Sequence, residues 1–120
     1  MAYVYLVVEW DRIEKDKIPC KIGVTTGSIE KRIKKLQTGN ASNLHLVAYH
    51  KTDTPFKIER MLHSHYSQKR ACGEWFNLTD EDILKFNKVC DKKEEIIELL
   101  KSNTYEIDKL NKKRVKNGKF

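Results

Sequence analysis

Residues Tyr3 to Trp10 alternate between two faces, with Val4, Leu6, Val8 and Trp10 on one side and Tyr3, Tyr5, Val7 and Glu9 on the other. The period predicts a strand whose first side is the core face and whose second is polar. After a polar connection, Asp11 to Pro19, the pattern resumes from Cys20 to Thr25, where Cys20, Ile22 and Val24 alternate with Lys21, Gly23 and Thr25. Pairing of these two strands would put Tyr5 and Lys21 on one polar face. Leu44 to Lys51 is expected as a third strand.

The period then lengthens. Ser28 is placed to cap a helix running from Ile29 to about Thr38, with Ile29, Ile33 and Leu36 as its buried stripe and Gly39-Asn40 as its stop. At 100° per residue, Arg32 lies about 60° from Ile29, whereas Lys31, Lys34 and Lys35 lie well away from the stripe. Thr54-Pro55 predicts the start of a second helix reaching about Tyr66, with Thr54 as cap and Pro55 at its first position. Ile58, Met61, Leu62 and Tyr66 form its inner face, and Glu59 and His63, four residues apart, share a neighbouring strip with Phe56. Ser67 to Gly73 reads as a polar connection, and Trp75 and Phe76 as aromatic anchors onto the sheet. Thr79-Asp80-Glu81-Asp82 opens a further helix, Asp80 to about Val89, and Asp91 to Lys101 and Tyr105 to Lys116 read as two more helical pieces. The expected division is residues 1–90 as one α+β domain and 91–120 as a basic helical extension.

Composition narrows the possible partners. The 120 residues suffice for one core, and no apolar run approaches the roughly 18 residues of a membrane span. No basic segment precedes the first apolar stretch, and Cys20, Cys72 and Cys90 are too few and too scattered for a disulfide framework. An intracellular, non-secreted protein with free thiols and no membrane partner is expected. Lysine and arginine outnumber aspartate and glutamate 24 to 17, for a formal charge of +7, and from Lys109 onward every charged residue is basic. That excess favours a polyanion such as DNA, because neutralised phosphates release condensed counterions.

Four side chains stand out chemically. Tyr5 is a phenol able to accept a proton from water when positive charge favours its ionised form, which Lys21 would supply. Arg32 offers a guanidinium fork suited to two phosphate oxygens. Glu59 is a hard oxygen donor of the kind that holds Mg²⁺, an ion needing only one or two carboxylates. His63 is placed to contact phosphate or water. A zinc site from His63, His65 and Cys72 is disfavoured, since residues two apart on a helix diverge.

In order, Tyr3-Val4-Tyr5, Lys21-Ile22-Gly23, Arg32, and Glu59 within Ile58-Glu59-Arg60-Met61-Leu62-His63 resemble the GIY-YIG nuclease superfamily. The likeness is greatest to its phage- and virus-associated T5orf172/MUG113-type branch, which shares the KIG form of the second motif and a GEWF-like segment, here Gly73-Glu74-Trp75-Phe76. It covers about Ala2 to Leu78. The resemblance implies a small central three-stranded antiparallel sheet flanked by helices, and one-metal cleavage of duplex or branched DNA with Mg²⁺ or Mn²⁺ and no small-molecule cofactor. By that likeness Tyr5 is the general base, Arg32 stabilises the transition state and Glu59 binds the metal, with Lys21 and His63 also placed at the catalytic centre. Tyr3, Gly23, Lys31, Lys35 and Glu74 are the positions expected to meet substrate. The pattern departs from the family at three points. Tyr3 stands where the founding motif has glycine, Lys21 replaces the second-motif tyrosine, and the asparagine that many members place after the glutamate helix has no clear match; Glu74 lies near that last position, either supporting the metal or capping the aromatic anchor. A catalytically inactive nucleic-acid-binding module of the same fold is the rival expectation, with Lys21 as its sign.

Overall fold

The computed structural model describes the backbone of residues 2–116 and the side chains of residues 2–102. Its order is β1 (Ala2–Glu9), β2 (Ile18–Thr25), α1 (Ile29–Thr38), β3 (Leu44–Thr52), α2 (Pro55–His65), β4 (Arg70–Cys72), β5 (Trp75–Leu78) and α3 (Asp80–Lys116). The strands form one antiparallel sheet in the order β3-β1-β2-β5-β4. The class is α+β as expected, but the sheet has five strands where three were expected.

The extra pair is a hairpin that the alternation signal could not reveal. Arg70, Ala71 and Cys72 are all exposed, so β4 has no apolar face to betray it. What makes the hairpin is Gly73, whose φ of 56° occupies the first of two loop positions between Cys72 and Trp75. Glycine first is a pattern of tight two-residue turns that match strand twist. β5 then pairs with β2 from Ile18 to Lys21, and its Phe76 and Leu78 are fully buried. The aromatic segment read as an anchor is therefore a strand.

Both faces of β1 are covered. Val4, Leu6 and Val8 lie with Cys20, Ile22 and Phe76 on the side closed by Ile58, Leu62 and Tyr66 of α2 and its C-terminal end, and the Tyr66 and Phe76 rings meet edge-on. The other face, expected to be polar, holds Tyr5 and Val7 fully buried with Leu44, packed against Ile33 and Leu36 of α1 and against Trp75. Tyr5 and Val7 point away from the first core but enter a second one, which α1 closes. Trp10, expected on the core face, instead begins a 3₁₀ turn (Trp10–Arg12), is 58% exposed and rests against His45. β1 ends where its partner β3 begins, at the Glu9–Leu44 pair, so Trp10 has left the sheet.

Local capping explains most helix starts. Ser28 Oγ accepts from Lys31 N at 3.3 Å, and Gly39 ends α1. Thr79 and Asp82 cap α3 reciprocally, Asp82 N donating to Thr79 Oγ1 and Thr79 N to Asp82 Oδ2. Thr54 occupies the cap of α2, yet its side chain makes no cap bond, and Pro55 at the first position supplies the preorganisation. Instead of three helical pieces there is one helix, α3, because no glycine or proline interrupts residues 80–116. Backbone proximity divides the chain at Cys90: the first unit holds the sheet, α1, α2 and the opening turns of α3, and the second begins at Asp91. The side chains of the basic stretch from Lys109 lie outside the described residues.

None of the three cysteines forms a disulfide. Burial, and after it the charge of Asp82, pushes the Cys20 thiol up to about 12, so it is an inert core group. Among the described residues no helix is long and apolar enough to cross a membrane.

One position is decided by space alone. Tyr5 pairs across the sheet with Gly23, and a Cβ at Gly23 would lie 2.4 Å from Tyr5 Oη and 2.6 Å from its ring carbon Cζ. Gly23→Ala is expected to lower stability by about 1–3 kcal/mol, the usual range for overpacking a closed interior. Urea unfolding checks this, and a variant as stable as the parent would show that the Tyr5 ring can leave its seat freely.

Candidate active site

The seat made by Gly23 presents the Tyr5 hydroxyl toward α1. Arg32, on the first turn of that helix, is half buried while Lys31, Lys34 and Lys35 are exposed, as the helical phase requires. Its Nε donates to Tyr5 Oη at 3.4 Å, a long bond that leaves both terminal nitrogens for another ligand. The Tyr5 oxygen, through this bond and then its charge, and more distantly Glu74, hold the guanidinium firmly protonated.

Lys21 lies opposite Val7, on the Tyr5 face of β2 but one pair along. Its Nζ is 3.4 Å from Glu74 Oε2, with the lysine side chain largely covered and the glutamate about half exposed. Glu74 is placed there by Gly73, since it is the second loop residue of the hairpin. The main-chain oxygen of the same residue accepts from Ile22 N at 3.2 Å, which fixes the loop against β2.

β5 pairs with β2 only as far as Lys21, so beyond that residue the strand has a free flank. α2 approaches there. His63 Nε2 is 3.1 Å from Ile22 O. A carbonyl can only accept, so Nε2 carries the proton in this pair and Nδ1 remains available. The imidazole also leans on the Phe76 ring, with centroids 5.1 Å apart.

Glu59, one turn before His63, is half buried. Burial, and then the neighbouring charge of Glu74, raises its carboxyl above the ordinary glutamate range, while His63 and Lys21 pull it back. Glu74 is thus felt by Arg32 from one side and by Glu59 from the other. Glu59 and His63 line an open depression of about 530 Å³ together with Phe56, Arg60 and Arg70.

The structure accordingly groups Tyr5 with Arg32, and Lys21, Glu74, His63 and Glu59 around the free flank of β2. Gly23 lies beneath the Tyr5 ring. Tyr3 stands apart, in edge-on contact with Tyr49, and Lys31 and Lys35 are on the outer surface of α1. Sequence reasoning passed over Arg60 and Arg70. Arg60 was hidden by its exposed phase on α2, and Arg70 by its place in an apparent connection, where it lies over the Phe76 ring at 5.4 Å. Arg60, next to Glu59 in the sequence, was the available signal.

A tyrosine seated on a glycine, an arginine at its hydroxyl and a glutamate across a strand flank reproduce, in space, the order of the motifs along the chain. The sequence model of the T5orf172 domain matches residues 2–102. The chain belongs to the T5orf172 domain family. This family falls within the GIY-YIG-like endonuclease clan, so the domain is nuclease-related. No curated protein and no solved structure is significantly similar to the chain. The T5orf172 match extends from β1 through the first two-thirds of α3, well past the motifs themselves.

Among the described residues no group of three or more histidine, cysteine, aspartate or glutamate side chains is arranged to hold a metal ion. A T5orf172 site built on one half-buried carboxylate, with a second nearby, suits only a cation that retains most of its waters. Burial raises the Glu59 carboxyl most, and the Glu74 charge that adds to this rise is a negative field that would welcome a cation.

The Glu59 carboxyl is expected to titrate above ordinary glutamates, and Glu74→Gln to lower its midpoint without normalising it, since burial persists. Carbon-detected NMR of the side-chain carboxyls checks both. A midpoint insensitive to Glu74→Gln would place the two carboxylates out of each other's reach.

Proposed function

We propose that this T5orf172 domain is a metal-dependent DNA endonuclease that hydrolyses phosphodiester bonds at the Tyr5, Arg32 and Glu59 site. The observation that carries the proposal is the Arg32–Tyr5 contact over Gly23, which fixes an acceptor for a proton and a charge for a phosphate side by side. Water attacks phosphorus, the P–O3′ bond breaks, and Tyr5 Oη, acting in its phenolate form, receives the proton lost by the water and afterwards returns it to solvent. Arg32 aims its terminal nitrogens at the phosphate oxygens, which gain charge as attack proceeds. The 3′-oxygen leaves as a hydroxyl and takes its proton from solvent, so the products carry a 5′-phosphate and a 3′-hydroxyl.

Lys21 is held by Glu74 where the founding GIY-YIG pattern has the second-motif tyrosine. A phosphate arriving beside Arg32 competes with Glu74 for it, and the ammonium then adds a second positive charge at the scissile group. His63 keeps α2 on the strand flank by its bond to Ile22 O, which sets where Glu59 points. Glu59, supported by Glu74, is the residue to hold Mg²⁺ or Mn²⁺. The cation would supply charge neutralisation at the departing oxygen, in the way single-metal nucleases use it. Arg60 and Arg70, around the depression beside Glu59, suit the phosphates flanking the cut.

The second reading, a DNA-binding module of the same fold without turnover, draws on the Lys21–Glu74 pair, which occupies the place of the missing tyrosine. Cleavage decides between the two. With Mg²⁺ or Mn²⁺, purified protein is expected to nick plasmid or branched DNA. Arg32→Ala should reduce the rate by about 10²–10³-fold, and Glu59→Ala should abolish the divalent-dependent rate, both with unchanged circular dichroism. Salt-sensitive binding without cleavage of plasmid, single-stranded or branched DNA would sink the enzyme reading and leave the binding module.

A further inference from the structure

Beside the Tyr5 seat lies a second cavity that the hydrolytic chemistry does not use. It has a volume of about 450 Å³ and is lined by Tyr3, Leu46, Tyr49, Ile29, Glu30 and the turn before α1. That size falls within the roughly 300–1,000 Å³ of small-ligand sites. Tyr49 is the direct cross-strand partner of Tyr5, and Tyr3 is two residues before Tyr5 on β1, so all three side chains leave the same face of the sheet. Directly opposed Cα atoms in such a pair lie about 4.5–5.5 Å apart. The cavity is therefore one strand step from the phenol at the cleavage centre.

Its walls are aromatic and its rim carries an acid. The Tyr3 and Tyr49 rings meet edge-on, with centroids 5.9 Å apart and planes at 76°, and Tyr49 is 54% exposed. Edge-on packing uses the border of one ring and leaves a broad face for a further planar group. Tyr49 is held by structure on both sides: its strand pairs with β1, and Asn87 Nδ2 donates to its carbonyl oxygen at 2.8 Å. The Glu30 carboxylate repels a phosphate but accepts from the amino group of a base, as carboxylates do from cytosine N4. A flat, hydrogen-bonding and uncharged occupant satisfies both features; a phosphate satisfies neither.

On the reading of the neighbouring site as a DNA phosphodiesterase, we infer that this cavity takes one unpaired nucleobase adjacent to the scissile phosphate, stacked on Tyr49. A base in a duplex has both faces covered by its neighbours and cannot reach such a ring. The substrate class is DNA with unpaired nucleotides at the cut, such as a flap, a splayed junction or a single strand, in preference to continuous duplex. The chain's excess of positive charge supplies attraction to any DNA. The tyrosine platform adds the distinction between paired and unpaired bases, since stacking on an aromatic ring is tolerant of sequence but requires an exposed base face.

The test uses the full chain and three labelled DNAs in fluorescence anisotropy without divalent ion: a duplex with an unpaired flap, the same flap with abasic nucleotides, and a fully paired duplex. The intact flap should bind about tenfold more tightly than the abasic one. Tyr49→Ala should remove that difference while leaving paired-duplex affinity within about twofold, and Tyr49→Phe should keep it. 2-Aminopurine in the flap should be quenched by the parent protein and by Tyr49→Phe, not by Tyr49→Ala. Equal affinity of the parent for intact and abasic flaps, or equal weakening of both by Tyr49→Ala, would overturn the inference. Cleavage of the same DNAs with Mg²⁺ reads the enzyme separately. Base discrimination without cleavage supports the cavity and overturns the nuclease; cleavage without base discrimination does the reverse; binding of none of the three overturns both.

Discussion

The meeting of the Tyr5 ring with the bare backbone of Gly23 is the constraint on which the site rests. β1 and β2 can pair in this register only if one of the two opposed residues has no side chain, because the tyrosine lies across the space that a Cβ would fill. That fit holds the phenol oxygen within reach of Arg32, and it does so inside a core closed by α1. A fully buried side chain such as Tyr5 contributes about 1.5–3 kcal/mol through burial alone. The same packing that stabilises the fold thus aims the group expected to accept a proton, and the two roles cannot be separated by substitution at Gly23.

Much of this was legible from alternation and phase. The pairing of β1 with β2, the start of α1 at Ser28, and the inward lean of Arg32 and Glu59 all follow from residue spacing along the chain. What misled was reading a polar face from Tyr5, Val7 and Glu9. A strand covered on both sides shows an apolar majority on each, and Tyr5 and Val7 are apolar enough to fill a second core once Ile33 and Leu36 arrive from α1. β4 was illegible because three exposed residues carry no pattern; only Gly73 signalled the turn that makes it a strand. Thr54 shows the limit in the opposite direction, since a residue type favoured at caps occupies the cap without making the bond.

The charges around β2 form a chain of dependence through Glu74. Its loop position comes from Gly73, its main-chain oxygen binds Ile22, and its carboxylate neutralises Lys21 and adds to the burial that raises the carboxyl of Glu59. No helical or strand period selects this residue, because it stands at a hairpin tip. Its influence arises from tertiary contact alone, which is why the sequence offered only two open roles for it. A site assembled in this way balances Glu59 and Glu74 against Lys21 and Arg32, and on the proposed nuclease reading an incoming phosphate would redistribute those pairs instead of meeting bare charges.

β2 changes character partway along. Up to Lys21 it is an interior strand, hydrogen-bonded to neighbours on both sides, and from Ile22 onward one side is served by a loop carbonyl and by the imidazole of His63. Interior and edge meet within a single strand, at the residue before Gly23. The interior half lends rigidity and the edge half lends access, so side chains from helices on opposite faces of the sheet can converge without crossing a layer. One more residue pair in β5 would close that gap with main-chain bonds. The approach of α2 to β2, and with it the place of Glu59, is therefore set by the length of a neighbouring strand.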